Sequence, residues 1–308
     1  MYLQAVTKEI IMIKIAHLIM AYKEPAQIER LIKKLSHPGF DFYIHVDKKS
    51  NFNDFAYLSS LSNVFFTYTH IKIQWGSYNF TDAIIKCTNE ILEKKEGYQF
   101  INLMSGQDYP LQSPDYIYNF FKENLHKSFV SFEAEGSDWW KSAIQRIEKY
   151  HMTNFSFRGR YIIQFIVNKI LPKRKFPLPY KLYGTNCTTW WAINRECAKY
   201  LVDFFQKNKQ LQRFSTFTWA PDEFLIPTIL MNSPFKNSIV NNNLRYIDWS
   251  GGGAHPKVFS SRDLMDLKNS DKLFARKFDL NVDSGILDQI DNFIENSSRN
   301  ENNMLQFG

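Results

Sequence analysis

Cysteine is nearly absent from this chain. Only Cys87, Cys187 and Cys197 occur among 308 residues, and none shares a Cys-x-x-Cys spacing. An odd, sparse set argues against a disulfide framework and against a cysteine zinc site, and it fits a reducing, cytoplasmic compartment. Long apolar runs are missing too. No stretch reaches the ~18 consecutive apolar residues of a membrane span, so no transmembrane helix is expected. The opening segment holds one short apolar patch, Ile10, Ile11, Met12 and Ile13, without the form of a signal peptide; Met12 is a second candidate start beside Met1. There is no internal repeat, no linker of domain-boundary composition and no nucleic-acid motif in a supporting context, so no nucleic-acid partner is expected. The expectation is one domain over residues 13–296 and a polar tail, 297–308, without fixed structure.

Aromatic residues, in contrast, are abundant at 16%, with 27 Phe, 16 Tyr and 7 Trp. Most of the Phe is expected in the core, while Trp faces are also a common way to stack on sugar rings. The net charge is +7 and the pI about 9.1. That balance suits a polyanionic partner, whether a phosphate-bearing substrate or an anionic membrane.

Hydrophobic periodicity gives strands at Ile13–Ala21, Phe40–Val46, Val64–Thr69 and Gln99–Met104, with helices at Gln27–Leu35 and Thr81–Lys94 between them. Alternation of this kind implies βαβ units and a mostly parallel sheet. The second half is more irregular. Thr188–Ile193 reads as a strand, Arg195–Asn208, Pro221–Met231 and Asp288–Asn296 as helices, and Asn241–Asn243 with Gly251–Gly253 as parts of a long loop.

In open α/β sheets ligands bind beyond the carboxyl ends of the strands. Asp47, Trp75 and the Ser105–Asp108 turn follow predicted strands and can share one cleft. Ala-Pro-Asp-Glu-Phe at 220–224 supplies a carboxylate, although Pro followed by acids is also ordinary chemistry for the first turn of a helix. A nucleotide-sugar enzyme needs a base for an acceptor hydroxyl and positive charge for a departing diphosphate. Many hold that diphosphate with a metal on Asp-x-Asp. No Asp-x-Asp occurs here, so neutralisation falls to Lys or Arg.

These residues resemble the core-2/I-branching β-1,6-N-acetylglucosaminyltransferase family, which includes peptide O-xylosyltransferases and plant β-glucuronosyltransferases. The matching stretches are AHLIMAYKEP (16–25), FYIHVDKKSN (42–51), QWGSYN (74–79), INLMSGQDYPL (101–111), TTWWAINR (188–195), APDEFLIPT (220–228), NNLRYIDW (242–249), and HPKVF (255–259) with LFARKFD (273–279), in the family's order. The resemblance implies a GT-A-like α/β fold, a mostly parallel sheet flanked by helices and lacking the metal motif. It implies inverting transfer from a UDP-sugar, without metal or cofactor, to a glycan hydroxyl. Carried over residue by residue, it makes Glu223 the general base. Lys257 and Lys277 bind the diphosphate, and Asp47 and Trp75 lie on the donor side. Asp108, Glu133 and Arg146 lie on the acceptor side. UDP-GlcNAc is the favoured donor, with UDP-xylose or UDP-glucuronic acid as the alternative. From other classes, a glycosidase would pair Glu223 with Asp222 or Asp108, but adjacent side chains do not easily flank one bond; a non-catalytic carbohydrate-binding protein would bind UDP without turnover. Unlike animal members the chain shows neither disulfides nor an anchor, which suggests a bacterial member acting on a lipid-linked glycan or surface polysaccharide at the cytosolic face of a membrane.

One segment is this chain's own. Tyr161–Lys181 joins Ile162, Ile163, Phe165, Ile166, Ile170 and Leu171 to Lys169, Lys173, Arg174, Lys175 and Lys181. Such a mixture permits peripheral contact with an anionic membrane. The apolar residues surround much of a helix, however, and that favours a core helix with a solvated basic end.

Overall fold

The computed structural model describes residues 12–306, with side chains through residue 297. The expectation about a start at Met1 or Met12 turns on residues 1–11, which lie outside the described residues. In chain order the first half comprises β1 (Ile15–Ala21), α1 (Pro25–Lys34), β2 (Phe40–Val46), β3 (Val64–Phe66), α2 (Tyr78–Leu92), β4 (Phe100–Ser105), β5 (Asp108–Pro110), α3 (Pro114–Glu123), β6 (Ser128–Phe129), β7 (Glu133–Ala134), α4 (Asp138–Ala143) and α5 (Gln145–Glu148). The second half comprises α6 (Arg160–Ile170), β8 (Tyr183–Gly184), β9 (Ala192–Asn194), α7 (Arg195–Lys207), α8 (Lys209–Thr216), α9 (Leu225–Met231), β10 (Ile239–Val240), β11 (Arg245–Ile247), α10 (Leu264–Lys268), β12 (Phe274–Arg276) and α11 (Gly285–Gln306).

A seven-stranded sheet runs β10-β6-β9-β4-β1-β2-β3. β9 is antiparallel to both of its neighbours, and every other pairing is parallel. The α/β architecture expected from the alternation is therefore present, a mostly parallel sheet flanked by helices. β1 is buried along its whole length, because both faces of a central parallel strand are covered. Its residues alternate between two cores. Ile15 and Ile19 pack with Ile28, Ile117 and Ile290 from α1, α3 and α11. Ala16 and Leu18 pack with Ile84, Leu201 and Ile229 from α2, α7 and α9.

β3 stops at Phe66, short of the expected Thr69, because the Glu90 carboxylate accepts the N–H groups of Tyr68 and Thr69, each at 2.7 Å, and draws the chain off the sheet edge. The strand expected at Thr188–Ile193 is confined to Ala192–Asn194. Thr188 instead closes a turn on Thr185 at 3.0 Å, and its hydroxyl donates to the Ser131 carbonyl at 2.6 Å. α11 continues to Gln306, past the expected end at Asn296, so the helix takes in much of the segment expected to lack structure.

A second, three-stranded sheet, β11-β12-β5, grows from the turn after β4. It brings the 245–277 segment to the carboxyl edge of the main sheet. α6 is the exception to the layered plan, since none of its residues is buried.

Candidate active site

A cleft of about 570 Å³ opens at that edge. Tyr22 follows β1, Asp47 follows β2, and Ser105 and Gln107 end and follow β4. Because β9 runs antiparallel, its leading residues Thr189 and Trp190 reach the same edge. Arg276 and Lys277, at the end of β12, close the cleft from the second sheet.

Glu223 lines this cleft from a turn rather than from the helix expected at Pro221–Met231. Pro221–Glu223 forms a single 3-10 turn, Phe224 leaves helical geometry at φ −147°, and α9 begins after it. The acids do not cap the helix. Asp222 accepts from the Thr189 hydroxyl at 2.7 Å, and Glu223 takes an ion pair from Arg146. Two backbone features hold the turn. Ala220 sits in the left-handed region at φ 46° and donates its N–H to the Gly76 carbonyl at 2.8 Å. Gly184 passes so close that an added Cβ would lie 2.6 Å from the Glu223 carbonyl oxygen, which only glycine permits.

Burial pushes the Glu223 carboxyl up to about 7, with the neighbouring Asp222 charge adding to it and Arg146 opposing it. Burial raises Asp222 as well. A carboxylate whose proton affinity is matched to neutral pH is suited to act as a general base. Arg146 is itself fixed, its guanidinium lying 5.1 Å from the Trp139 ring and 4.5 Å from the Trp219 ring.

The remaining residues singled out in the sequence divide between the cleft and its surroundings. Asp47 lines the cleft and accepts the Lys49 N–H at 2.9 Å and the Ile73 N–H at 3.3 Å, so it also shapes its loop. Trp75 stands on the rim, 59% exposed, edge-on to Trp219 and His255 at 5.7 Å each. Lys277 lines the cleft and forms no ion pair among the described residues; Asp279 is taken by Lys23 at 2.5 Å. Burial lowers its pKa, with Arg276 and Lys23 adding to the effect.

Lys257 does not line the cleft. Its ammonium lies 2.5 Å from Asp263 and 3.9 Å from Asp248, and those carboxylates hold it on the outer side of the loop. Asp108 does not line it either. The side chain is sealed, with Arg276 at 3.3 Å and Arg245 at 3.7 Å, which excludes it as the second carboxylate of a glycosidase. Glu133 is exposed on β7, opposite Gly184, and Arg146 reaches the site through Glu223.

Arg276 was not singled out from the sequence, although it precedes Lys277 in the same motif. It lies over the Trp190 ring at 4.2 Å and faces the cleft while anchored behind by Asp108. Gln107 lines the cleft from the Ser105–Asp108 turn expected there, and Trp190, Trp249 and His255 are further lining residues not singled out individually from the sequence. All three cysteines are unpaired. Among the described residues no group of three or more His, Cys, Asp or Glu is arranged to hold a metal ion.

Comparison with known proteins adds to this geometry. A family model described as "Core-2/I-Branching enzyme" matches residues 15–271. Among curated proteins, Xylosyltransferase 2 of Rattus norvegicus is 27% identical over 91% of this chain and 33% of its own length. Xylosyltransferase 1 of Mus musculus is 24% identical over 87% of this chain and 29% of its own. The chain thus spans about a third of the length of these relatives. Among solved structures, a 4-diphosphocytidyl-2C-methyl-D-erythritol synthase is similar over 65% of this chain and 84% of that chain, with 9% identity and a TM-score of 0.34.

Proposed function

The chain belongs to the Core-2/I-Branching enzyme family of glycosyltransferases, and we propose that it moves a sugar from a UDP-sugar to a carbohydrate hydroxyl with inversion, without a metal, and with Glu223 as the base. One observation carries this reading: a carboxylate with proton affinity near neutrality and an unpaired lysine line the same cleft at the carboxyl edge of the sheet.

In this reading Arg146 holds Glu223 by one oxygen and leaves the other for the acceptor hydroxyl. As the hydroxyl attacks the anomeric carbon, its proton passes to Glu223 and the bond to the diphosphate breaks on the opposite face. Lys277 and Arg276 neutralise the leaving diphosphate, the role a metal fills elsewhere. Trp75, Trp190 and Trp249 offer flat faces to sugar or base. The acceptor is a glycan, lipid-linked or free, at the cytoplasmic face of a membrane.

The sequence favoured UDP-GlcNAc. The relatives' printed name supports the alternative, UDP-xylose. The test is UDP release from UDP-GlcNAc, UDP-xylose and UDP-glucuronic acid with a panel of glycan acceptors, with and without EDTA. Turnover of one donor that survives chelation is expected. Activity abolished by EDTA and restored by Mn²⁺ would remove the metal-independent part of the proposal. UDP binding without turnover across the panel would leave a binding protein.

A further inference from the structure

Helix α6 inverts the usual amphipathic arrangement. Its polar side chains face the protein. Gln164 accepts the Met152 N–H at 2.7 Å, and Asn168 both accepts from the Tyr150 N–H and donates to the Tyr150 carbonyl, each at 2.7 Å. With that face pinned, the apolar side chains are turned to solvent. Ile162, Phe165 and Ile170 are 67%, 68% and 74% exposed. The core helix favoured by the sequence is therefore not what forms, because the body beneath α6 offers backbone polar groups rather than an apolar surface.

The charged residues of the segment that carries this helix have one sign, and the acid next to it, Glu148, is engaged by Lys173. No acidic residue occurs between Glu148 and Glu196, whereas Arg158, Lys169 and Lys175 flank the apolar face and form no ion pair among the described residues. Lys173 is held by Glu148 at 2.6 Å. Arg174 is a structural pin, bonding the Phe214, Phe217 and Lys149 carbonyls, and drops out of the basic surface.

We propose that α6 is an interfacial helix that docks this protein on an anionic lipid surface, its apolar side chains entering the headgroup boundary and its flanking cations meeting lipid phosphates. An exposed apolar stripe bordered by cations without intervening acids fits a negatively charged bilayer better than it fits another copy of this basic chain. The segment leading into α6 is tied to the cleft wall: the Thr153 hydroxyl donates to the Gly76 carbonyl at 3.3 Å, and the His151 N–H donates to the Phe217 carbonyl at 2.9 Å. The segment thus couples α6 to Gly76, which lines the cleft beside Trp75. That docking would serve a membrane-borne acceptor rests on the transferase reading; docking itself does not.

The test is co-sedimentation of the full chain, without substrate, with vesicles of phosphatidylcholine alone and of phosphatidylcholine mixed with phosphatidylglycerol. The wild type is expected to pellet with the anionic vesicles. Removing three cations (Arg158→Ser, Lys169→Ser, Lys175→Ser) should lower that partitioning by about two orders of magnitude, as should high salt. Ile162→Ser/Phe165→Ser/Ile170→Ser should abolish it while the thermal midpoint stays at that of the wild type. Three results would overturn the proposal: no pelleting of the wild type, equal pelleting of all three proteins, or a dimer in light scattering that the apolar variant breaks while vesicles recruit neither protein. Because no donor or acceptor is present, failure here is distinguishable from failure of the transferase assay.

Discussion

Glu223 and Asp108 are both carboxylates taken out of water and set against arginine. Burial raises the proton affinity of each, and arginine opposes that rise in each. The surroundings separate them. Asp108 lies between two guanidinium groups behind the cleft, with no exposure at all, and its role is to hold Arg276 in position. Glu223 has one arginine and an opening onto the cleft, with Trp190 and Lys277 among the other lining residues. A perturbed carboxyl with an arginine partner is thus not by itself an active-site signature, and what distinguishes a reactive group is access for the substrate.

The comparison breaks most readily at Glu223. Glu223→Gln keeps the shape and removes the base, so kcat should fall by about 10²–10⁴-fold while UDP binding, read by calorimetry, stays close to wild type. Turnover within a few-fold of wild type would refute the assignment. The pH profile sharpens it. A base acts when ionised, so kcat/KM should climb with pH up to about 7 and then level, and the glutamine variant should lose that limb. Arg146→Ala should move the limb to higher pH, since Arg146 favours the ionised form. The sign for stability is the opposite. With its folded proton affinity above the ordinary 4.5, Glu223 contributes less stability as pH rises from there to about 7. Glu223→Gln should therefore gain stability relative to wild type over that window.

At Asp108 the expected effect is structural. Asp108→Asn leaves Arg245 and Arg276 buried without their counter-charge, a loss on the order of 3–5 kcal/mol. Chemical denaturation reads it directly. A variant as stable as wild type would show that the sealed carboxylate is not what holds the pair.

The same contrast explains how much could be read from the sequence. Local pattern was enough where local pattern decides. The predicted strand Phe40–Val46 matches β2, and α7 ends within a residue of its predicted boundary. It fell short where distant residues decide. Arg276 and Asp108 meet across 168 positions, and nothing near either residue announces the other. The Pro-Asp-Glu segment has the composition of a helix start, but Thr189 and Arg146 claim its carboxylates and the helix begins later. The apolar composition of α6 indicated a core helix, yet composition does not say what lies underneath, and Gln164 and Asn168 find their partners in the facing backbone. Of the two lysines expected at the diphosphate, only one faces the cleft. The motif gave Lys277, while Lys257 carried the same expectation into a place where two aspartates engage it.

That pair of lysines is the finest form of the comparison, charge in the cleft against charge beside it. Lys277 lines the cleft, is partly desolvated and forms no ion pair among the described residues, so its charge is available to a leaving diphosphate in the proposed reaction. Lys277→Ala should lower kcat/KM by about 10²–10³-fold, the usual cost of removing one positioned group at a developing anion. Lys257 is exposed and already neutralised by Asp263. Lys257→Ala removes a solvent-screened pair and should change kcat/KM by less than about fivefold. Its backbone still donates to the Asp248 carbonyl at 2.8 Å and accepts from Lys277, so the alanine variant keeps the loop in place. Steady-state kinetics on both variants with the same donor decides the matter. If Lys257→Ala costs as much as Lys277→Ala, Lys257 must leave Asp263 and swing into the cleft when the donor binds, and the resemblance would have located the diphosphate better than the unliganded geometry does.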